Sequence, residues 1–418
     1  MRYLYTVLFY LALPFVFLRL LWRSRRAPLY RQRWVERLGY CPHQLDQCIW
    51  VHAVSLGETI AAVPLIKQLK AKYPQSPVLV TNMTVTGSER VKAIFGESVL
   101  NAYVPYDLPD MVARFIERVN PQVIVVMETE LWPNLFAAAK RRRIPLVVTN
   151  ARLSEKSAKG YRRVKSLARE MFTAITVLAA QGQSDADRFI DLGMPASRVK
   201  VTGSLKFDLE LPADLETKGK ILREALKDMR PIWIAASTHP GEDEIILAAH
   251  RVVRDTIKNA LLILVPRHPE RFDSVAAMIK ENNLSVIRRS TGESCEIETA
   301  VYLGDTMGEM LLMFSACDVA FVAGSFVAIG GHNIIEPAAL HKPVITGPYL
   351  FNFSEISDAM LAARGMIKVN NSDELANTLI KFFEDETVRQ QTGENAFGVV
   401  EKNRGALQRQ VALIDASF

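Results

Sequence analysis

Several short runs in this sequence place acidic or basic side chains where chemistry is done. In His52-Ala53-Val54-Ser55-Leu56-Gly57-Glu58-Thr59 an apolar run gives way to a helix, so Glu58 falls at a strand's carboxyl end, where a general base reaches a substrate. Gly57 is read as permitting the tight strand-to-helix turn. The same residues also spell a capping box, Ser55-x-x-Glu58, which satisfies helix-end amides and does no chemistry. In Met127-Glu128-Thr129-Glu130-Leu131-Trp132-Pro133-Asn134, Glu128 and Glu130 are two apart, so on a strand both project to one side, and Pro133 starts a helix. Acidic residues ahead of a helix are equally explained by its dipole. Lys206, in Gly203-Ser204-Leu205-Lys206-Phe207-Asp208, is either a surface lysine or a cation placed to neutralise phosphate or carboxylate.

The second half of the chain supplies groups suited to anions. Arg267, in Pro266-Arg267-His268-Pro269-Glu270-Arg271, directly follows an apolar strand, a placement that suits bidentate phosphate recognition. Gly304-Asp305-Thr306-Met307-Gly308-Glu309 links strand to helix, where backbone amides hold phosphate. In Gly324-Ser325-Phe326-Val327-Ala328-Ile329-Gly330-Gly331-His332-Asn333-Ile334-Ile335-Glu336-Pro337 the glycines allow close approach of a ligand, and Glu336 is placed to accept bonds from ribose hydroxyls. A capping box, Asn333-x-x-Glu336, is the competing reading, but it puts Pro337 at the fourth helical position, where the missing N–H costs a bond.

The elements that position these groups alternate short β-branched runs with helical stretches, the pattern of parallel strands joined by crossover helices. Strands are expected at 49–54, 78–83, 102–105, 123–127, 146–149, 175–179 and 199–202, and again at 232–236, 261–265, 285–287, 300–303, 319–322 and 344–345. Two α/β units of Rossmann type follow, with a polar linker beginning at Asp208 and containing Pro212 and Gly219. Substrates of such a pair are expected in a central cleft, at the carboxyl ends of the strands. The expected division is 1–40 for an N-terminal anchor and basic segment, 41–207 and 208–400 for the two units, and 401–418 for a closing helix.

The net charge of +6 over 418 residues is misleading until it is located. Residues 1–40 hold eight arginines against Glu36, a balance of +7, which leaves −1 for the rest of a chain whose total is +6. A nucleic-acid partner is therefore not expected, because its footprint would be spread over a folded face. The apolar run Tyr3 to Trp22 is about as long as a bilayer core requires. Arg23, Arg25, Arg26, Arg31 and Arg33 follow it, which orients the bulk of the protein to the cytoplasm; a helix lying flat in the interface is the rival, given Pro14 and Arg19. Cys41, Cys48, Cys295 and Cys317 form no C-x-x-C pair, and no D-x-D motif ends a strand, Asp185-Ala186-Asp187 reading as the start of a surface helix. Neither a metal site nor a cofactor is expected.

Taken together, S-L-G-E-T at 55–59, M-E-T-E-L-W-P-N at 127–134, N-A-R-L-S at 150–154, G-S-L-K-F-D at 203–208, P-R-H-P-E-R at 266–271, G-D-T-M-G-E at 304–309 and G-G-H-N at 330–333 resemble the bacterial Kdo transferases of lipopolysaccharide synthesis. The resemblance spans nearly the whole chain, N-terminal anchor included. It implies a GT-B fold and a metal-independent, inverting transfer of Kdo (3-deoxy-D-manno-octulosonic acid) from CMP-Kdo to the lipid A precursor lipid IVA, at the inner membrane. It also implies that Glu58 is the proton acceptor and that Glu128 and Lys206 stabilise the transition state. Pro266 and Arg267, the run Met307-Gly308-Glu309 and the run Asn333-Ile334-Ile335-Glu336 would bind the nucleotide. Proline at 337, where alanine would also fit the pattern, is a departure that bears on the ribose contact. On the residues alone, a transferase using a uridine diphosphate sugar, a sugar-nucleotide epimerase and a non-catalytic membrane-tethered binding protein remain rivals. A dinucleotide oxidoreductase is disfavoured, since no G-x-G-x-x-G follows the first strand.

Overall fold

The structure, a computed structural model, describes residues 1–25 and 31–418. Arg26 of the expected basic cluster lies outside the described residues, as does the side chain of Arg23. The chain divides into two compact units, Met1–Asp208 with Arg404–Phe418, and Leu209–Asn403.

The first unit is built on a seven-stranded parallel sheet of β1 (Cys48–His52), β2 (Val78–Asn82), β3 (Leu100–Tyr103), β4 (Pro121–Met127), β5 (Leu146–Ala151), β6 (Val177–Ala180) and β7 (Val199–Val201). The order β3-β2-β1-β4-β5-β6-β7 reverses between β1 and β4. In such sheets the crevice at the carboxyl ends of the two strands flanking the reversal is where ligands bind. Strands such as β1 and β2 are buried along their whole length, which is why they read as continuous apolar runs instead of alternating ones. The last helix, Ala406–Asp415, returns to this unit, burying Leu407, Val411 and Ile414 in the same core as β1 and β2.

The second unit repeats the plan with β8 (Ile232–Thr238), β9 (Leu261–Pro266), β10 (Val286–Arg288), β11 (Val301–Leu303), β12 (Val319–Val322), β13 (Val344–Thr346) and β14 (Met366–Lys368), in the order β10-β11-β9-β8-β12-β13-β14. Its switch point lies between β8 and β12. The strand β14 is absent from the sequence expectation: three residues ending in Lys368 carry too little pattern to register.

The N-terminal helix Arg2–Ser24 is long and apolar enough to cross a membrane. One of its faces is not free, because Phe9, Leu13, Val16 and Phe17 pack on Tyr106, Leu108 and Met111 of the first unit. The opposite face exposes Leu4, Leu8, Leu11, Phe15 and Leu18. Arg33, expected in the juxtamembrane cluster, instead pairs with Glu36 at 2.6 Å, donates to Ser88 at 2.9 Å and stacks on Tyr103. Glu36 in turn accepts from Tyr103 N at 2.7 Å, and Arg37 is buried beside it, donating to Met83 O at 2.9 Å. These side chains are structural members of the first unit.

Candidate active site

At the β1/β4 switch point the chain turns from β1 into the helix Leu56–Lys72 at Ser55, the N-cap. The capping box is formed: Glu58 N donates to Ser55 Oγ at 3.3 Å, Ser55 Oγ–H donates to Glu58 Oε1 at 2.6 Å, and Val54 N donates to Oε2 at 2.8 Å. Capping does not exhaust the group, since a carboxylate offers about four lone-pair positions and two are used here. The two bonds fix the orientation of a nearly buried carboxylate. Gly57 is not what permits the turn: it lies in the helix, and an added Cβ would meet only Ser55 Oγ at 3.9 Å.

The two-residue spacing of Glu128 and Glu130 does not act through a strand. β4 stops at Met127, and Glu128 is left-handed at φ 55° with its N–H donated to Thr149 O at 2.9 Å. Both carboxylates are nonetheless half-buried and sense the charge of Glu58. Burial first, and then Glu58, raises the pKa of Glu128, while Lys206 and Arg152 pull it down. Burial and Glu58 likewise raise Glu130, whose Oε2 accepts from Trp132 Nε1 at 2.8 Å. Lys206 is lowered by burial against the opposing pull of Glu128. The structure thus brings Glu58, Glu128, Glu130 and Lys206 into one electrostatic neighbourhood.

The turn bearing Lys206 is held by residues the sequence reading did not single out as parts of the site. Gly203 is left-handed at φ 86°, Leu205 N donates to Asn150 Oδ1 at 3.1 Å, and Asn150 N donates to Gln410 Oε1 at 3.1 Å. Gln410 Nε2 donates onward to Thr202 Oγ1 and Gly203 O, each at 3.2 Å, so the C-terminal helix braces the lysine turn. Asp185 is also more than the start of a surface helix: it is buried, and its Oδ1 accepts from Leu153 N at 2.7 Å. His52 is no base, because burial holds it down to about 3.

At the β8/β12 switch point a cavity of about 220 Å³ is lined by Ser237, Arg267, Met310, His332, Asn333 and Glu336, among others. Arg267, Asn333 and Glu336 therefore meet as the sequence suggests. Asn333 accepts from Ile335 N at 3.1 Å and donates from Nδ2 to Glu336 Oε1 at 2.9 Å. Burial raises the Glu336 pKa against the pull of Asn333 and Arg267. The helix is Ile335–Ala339, so Pro337 is its third residue, not its fourth. Ile334 and Ile335 are wholly buried, and Pro266 ends β9 inside the core, so those three offer a ligand backbone at most. Met307, Gly308 and Glu309 do not line this cavity. Gly308 and Glu309 border a larger groove of about 510 Å³ with Arg289, which binds Glu309 through Nε at 3.0 Å and Nη2 at 2.8 Å.

Glycines shape the loop after β12. A Cβ on Gly324, at φ 69°, would stand 2.8 Å from the His332 ring, and one on Gly330, at φ 104°, would stand 2.4 Å from Phe351. The unheralded residue here is Glu242. Wholly buried, it accepts from Gly324 N at 2.8 Å, Ser325 N at 3.0 Å, Phe326 N at 2.9 Å and His239 N at 3.0 Å, tying the β8 and β12 loops together. Three of these contacts lie 82 to 84 residues away in sequence, so the bridge to the β12 loop leaves no local signal.

Comparison with known proteins adds descent to this geometry. A family model described as 3-deoxy-D-manno-octulosonic-acid transferase (kdotransferase) matches residues 32–209, and a second, glycosyl transferases group 1, matches residues 229–399. The 3-deoxy-D-manno-octulosonic acid transferase of Haemophilus influenzae is 45% identical, the match covering 99% of this chain and 98% of that one. The Bordetella pertussis enzyme of the same name is 35% identical over 96% of each chain. Among solved structures, the UDP-GlcNAc 2-epimerase of Neisseria meningitidis bound to UDP-GlcNAc superposes with a TM-score of 0.59 over 88% of this chain and 99% of that one, at 15% identity, a likeness of fold alone. Two Rossmann-like units of the GT-B type and near full-length identity to curated enzymes lead to one assignment: this chain is a glycosyltransferase and belongs to the 3-deoxy-D-manno-octulosonic acid transferase family.

Proposed function

We propose that the protein transfers Kdo from CMP-Kdo to lipid IVA with inversion and without a metal ion, residues 41–207 serving the acceptor and 208–400 the donor. The observation that supports this best is the pairing of chemistry with topology. Each sheet's switch point carries one set of functional side chains: carboxylates with Lys206 in the first unit, and Arg267 with Asn333 and Glu336 in the second. In this reading Glu58, oriented by Ser55 and Val54, takes the proton from the attacking sugar hydroxyl. Lys206, held against Glu128, offsets the negative charge that develops on the leaving phosphate as the transferred sugar becomes cation-like. Arg267 binds the phosphate, and Asn333 and Glu336 the ribose. Gly308 and Glu309 complete the nucleotide contacts from the neighbouring groove, with Met307 just before them in the chain.

In this reading the acceptor is a lipid, and the exposed apolar face of the helix Arg2–Ser24 fits attachment to the cytoplasmic side of the inner membrane; because its other face packs on the first unit, the arrangement favours a helix lying in the interface over the single spanning anchor argued from charge. The test is incubation of the full chain with lipid IVA and CMP-Kdo, read by mass spectrometry. Lipid IVA is expected to gain the mass of one or more Kdo residues, with CMP released in the same number. Turnover of a uridine diphosphate sugar with CMP-Kdo left intact would overturn the donor assignment.

A further inference from the structure

Three histidines stand at the β8/β12 switch point without a part in the chemistry above. His239 comes from the loop after β8, His268 from the loop after β9 and His332 from the loop after β12. His239 Nε2 and His332 Nε2 are 2.8 Å apart, with ring planes within 9° of parallel. His268 meets His239 edge-on at 5.5 Å. His332 lines the cavity that holds Arg267, Asn333 and Glu336, and its ring is seated directly against Gly324, where any side chain would displace it.

A hydrogen bond between two Nε2 atoms requires one ring to donate and the other to accept. The donating ring then has a bare Nδ1, so the neutral pair can take one proton there without losing its bond. A second proton would set two N–H groups against each other at 2.8 Å. The pair is thus limited to a charge of zero or +1. The groups facing it favour zero in the empty protein. Burial, then His239, Arg267 and His268, hold His332 down to about 4. His239 is lowered by burial, with His268, Arg271 and Arg267 adding to the effect and Glu242 opposing it. Arg271 is already paired with Asp243, and Glu336 is the acidic side chain lining the cavity.

We propose that the His239–His332 pair is a proton-uptake site for the phosphate of the bound nucleotide: a nucleoside monophosphate seated beside Arg267 draws one proton from solvent onto the pair. The proposal rests on the donor reading of this cavity. The bookkeeping is simple, as no covalent bond changes: the pair goes from neutral to +1, the proton comes from buffer, and the anion answers Arg267 and the new imidazolium together. An anion in the cavity also removes what kept the pair neutral, because it offsets the Arg267 charge. The histidine pKa is then higher in the complex than in the free protein. Binding energy from the pair is fully present below its pKa in the free protein and is lost as pH rises from there through its pKa in the complex, by up to about tenfold in affinity per pH unit.

The experiment is calorimetry of CMP binding to the full chain at pH 7, with chelator present, in two buffers of very different ionisation enthalpy. The slope of heat against buffer enthalpy counts protons, and uptake on the order of one is expected. Free CMP has its own phosphate ionisation near pH 6, which on binding as a dianion releases protons and has the opposite sign. His332→Gln and His239→Gln are each expected to bring uptake close to zero while CMP still binds. His268→Gln is expected to retain it, and cytidine, which lacks the phosphate, to show none. Should His332→Gln fail to fold, the more accessible His239→Gln decides alone. CMP binding to the parent protein without uptake, or uptake persisting in the His239 variant, overturns the proposal and leaves the donor reading standing. No CMP binding by the parent removes the donor reading and the proposal with it.

Discussion

The two switch points share a topology and differ in the side chains they carry. In the first unit, three carboxylates, Glu58, Glu128 and Glu130, sense one another, Lys206 faces Glu128, and burial makes Glu128 and Glu130 harder to ionise. In the second, Arg267 and His332 share a cavity with Glu336, and His239 and His268 stand behind His332. In the proposed reading, two parallel sheets with the same kind of reversal carry a base-bearing site and a phosphate-binding site, and the difference lies in the loops and helix starts that follow the strands. The sheets supply position and the loops supply chemistry.

That contrast can be broken most forcefully at Lys206. Replacing it with glutamine removes the stronger of the two cationic pulls on half-buried Glu128, leaving Arg152, and in the proposed reading removes charge stabilisation from the reacting centre. Transfer is expected to slow about 100- to 1,000-fold, with CMP affinity within about twofold of the parent. A large loss of CMP affinity instead would move Lys206 to the donor's side of the comparison. Arg267→Ala probes the opposite site and should weaken CMP by about 10- to 100-fold in titration calorimetry, the effect of a lost charge-assisted contact in a partly desolvated cavity. Unchanged affinity would place Arg267 outside the site.

The smallest effect concerns a carboxylate that belongs to neither set. Asp107 is buried, accepts from Asn134 N at 3.0 Å and Leu135 N at 2.8 Å at the start of the helix Pro133–Arg142, and is pushed up to about 6 by burial. Because its folded pKa lies above the ordinary value of 3.8, its contribution to stability is fully present below that value and is lost as pH rises through 6. The total is at most about 3 kcal/mol. Asp107→Asn should therefore flatten the fall in stability between about pH 4 and 6 in denaturant titrations; parallel profiles for parent and variant would show that Asp107 is not the source.

Much of this was legible in the sequence, for identifiable reasons. Strands such as β1 and β9 are buried on both faces and announce themselves as unbroken apolar runs. Glu58, Glu128, Lys206 and Arg267 sit just past strand ends, where chain order alone exposes them. What escaped was tertiary. His239 and His332 are partners across 93 residues, and Asn150 and Gln410 across 260, so no window of sequence contains either pair. The left-handed Glu128 escaped because the period-2 rule assumes a strand that has already ended. Arg33 and Arg37 read as membrane charge because composition cannot tell an arginine facing lipid headgroups from one packed on Tyr103.

Glu58→Gln tests the division of labour most directly, because the capping and catalytic readings of that one residue predict different losses. Glutamine keeps the size and one acceptor oxygen but cannot take a proton. Rate of Kdo transfer, CMP affinity and melting temperature should be measured on the same preparation. The expected result is transfer at least about 100-fold slower, with CMP binding unchanged and a melting temperature near the parent's. A variant within about threefold of parental activity that melts several degrees lower would show Glu58 to be a helix cap, with the base elsewhere and Glu130 the next residue to examine.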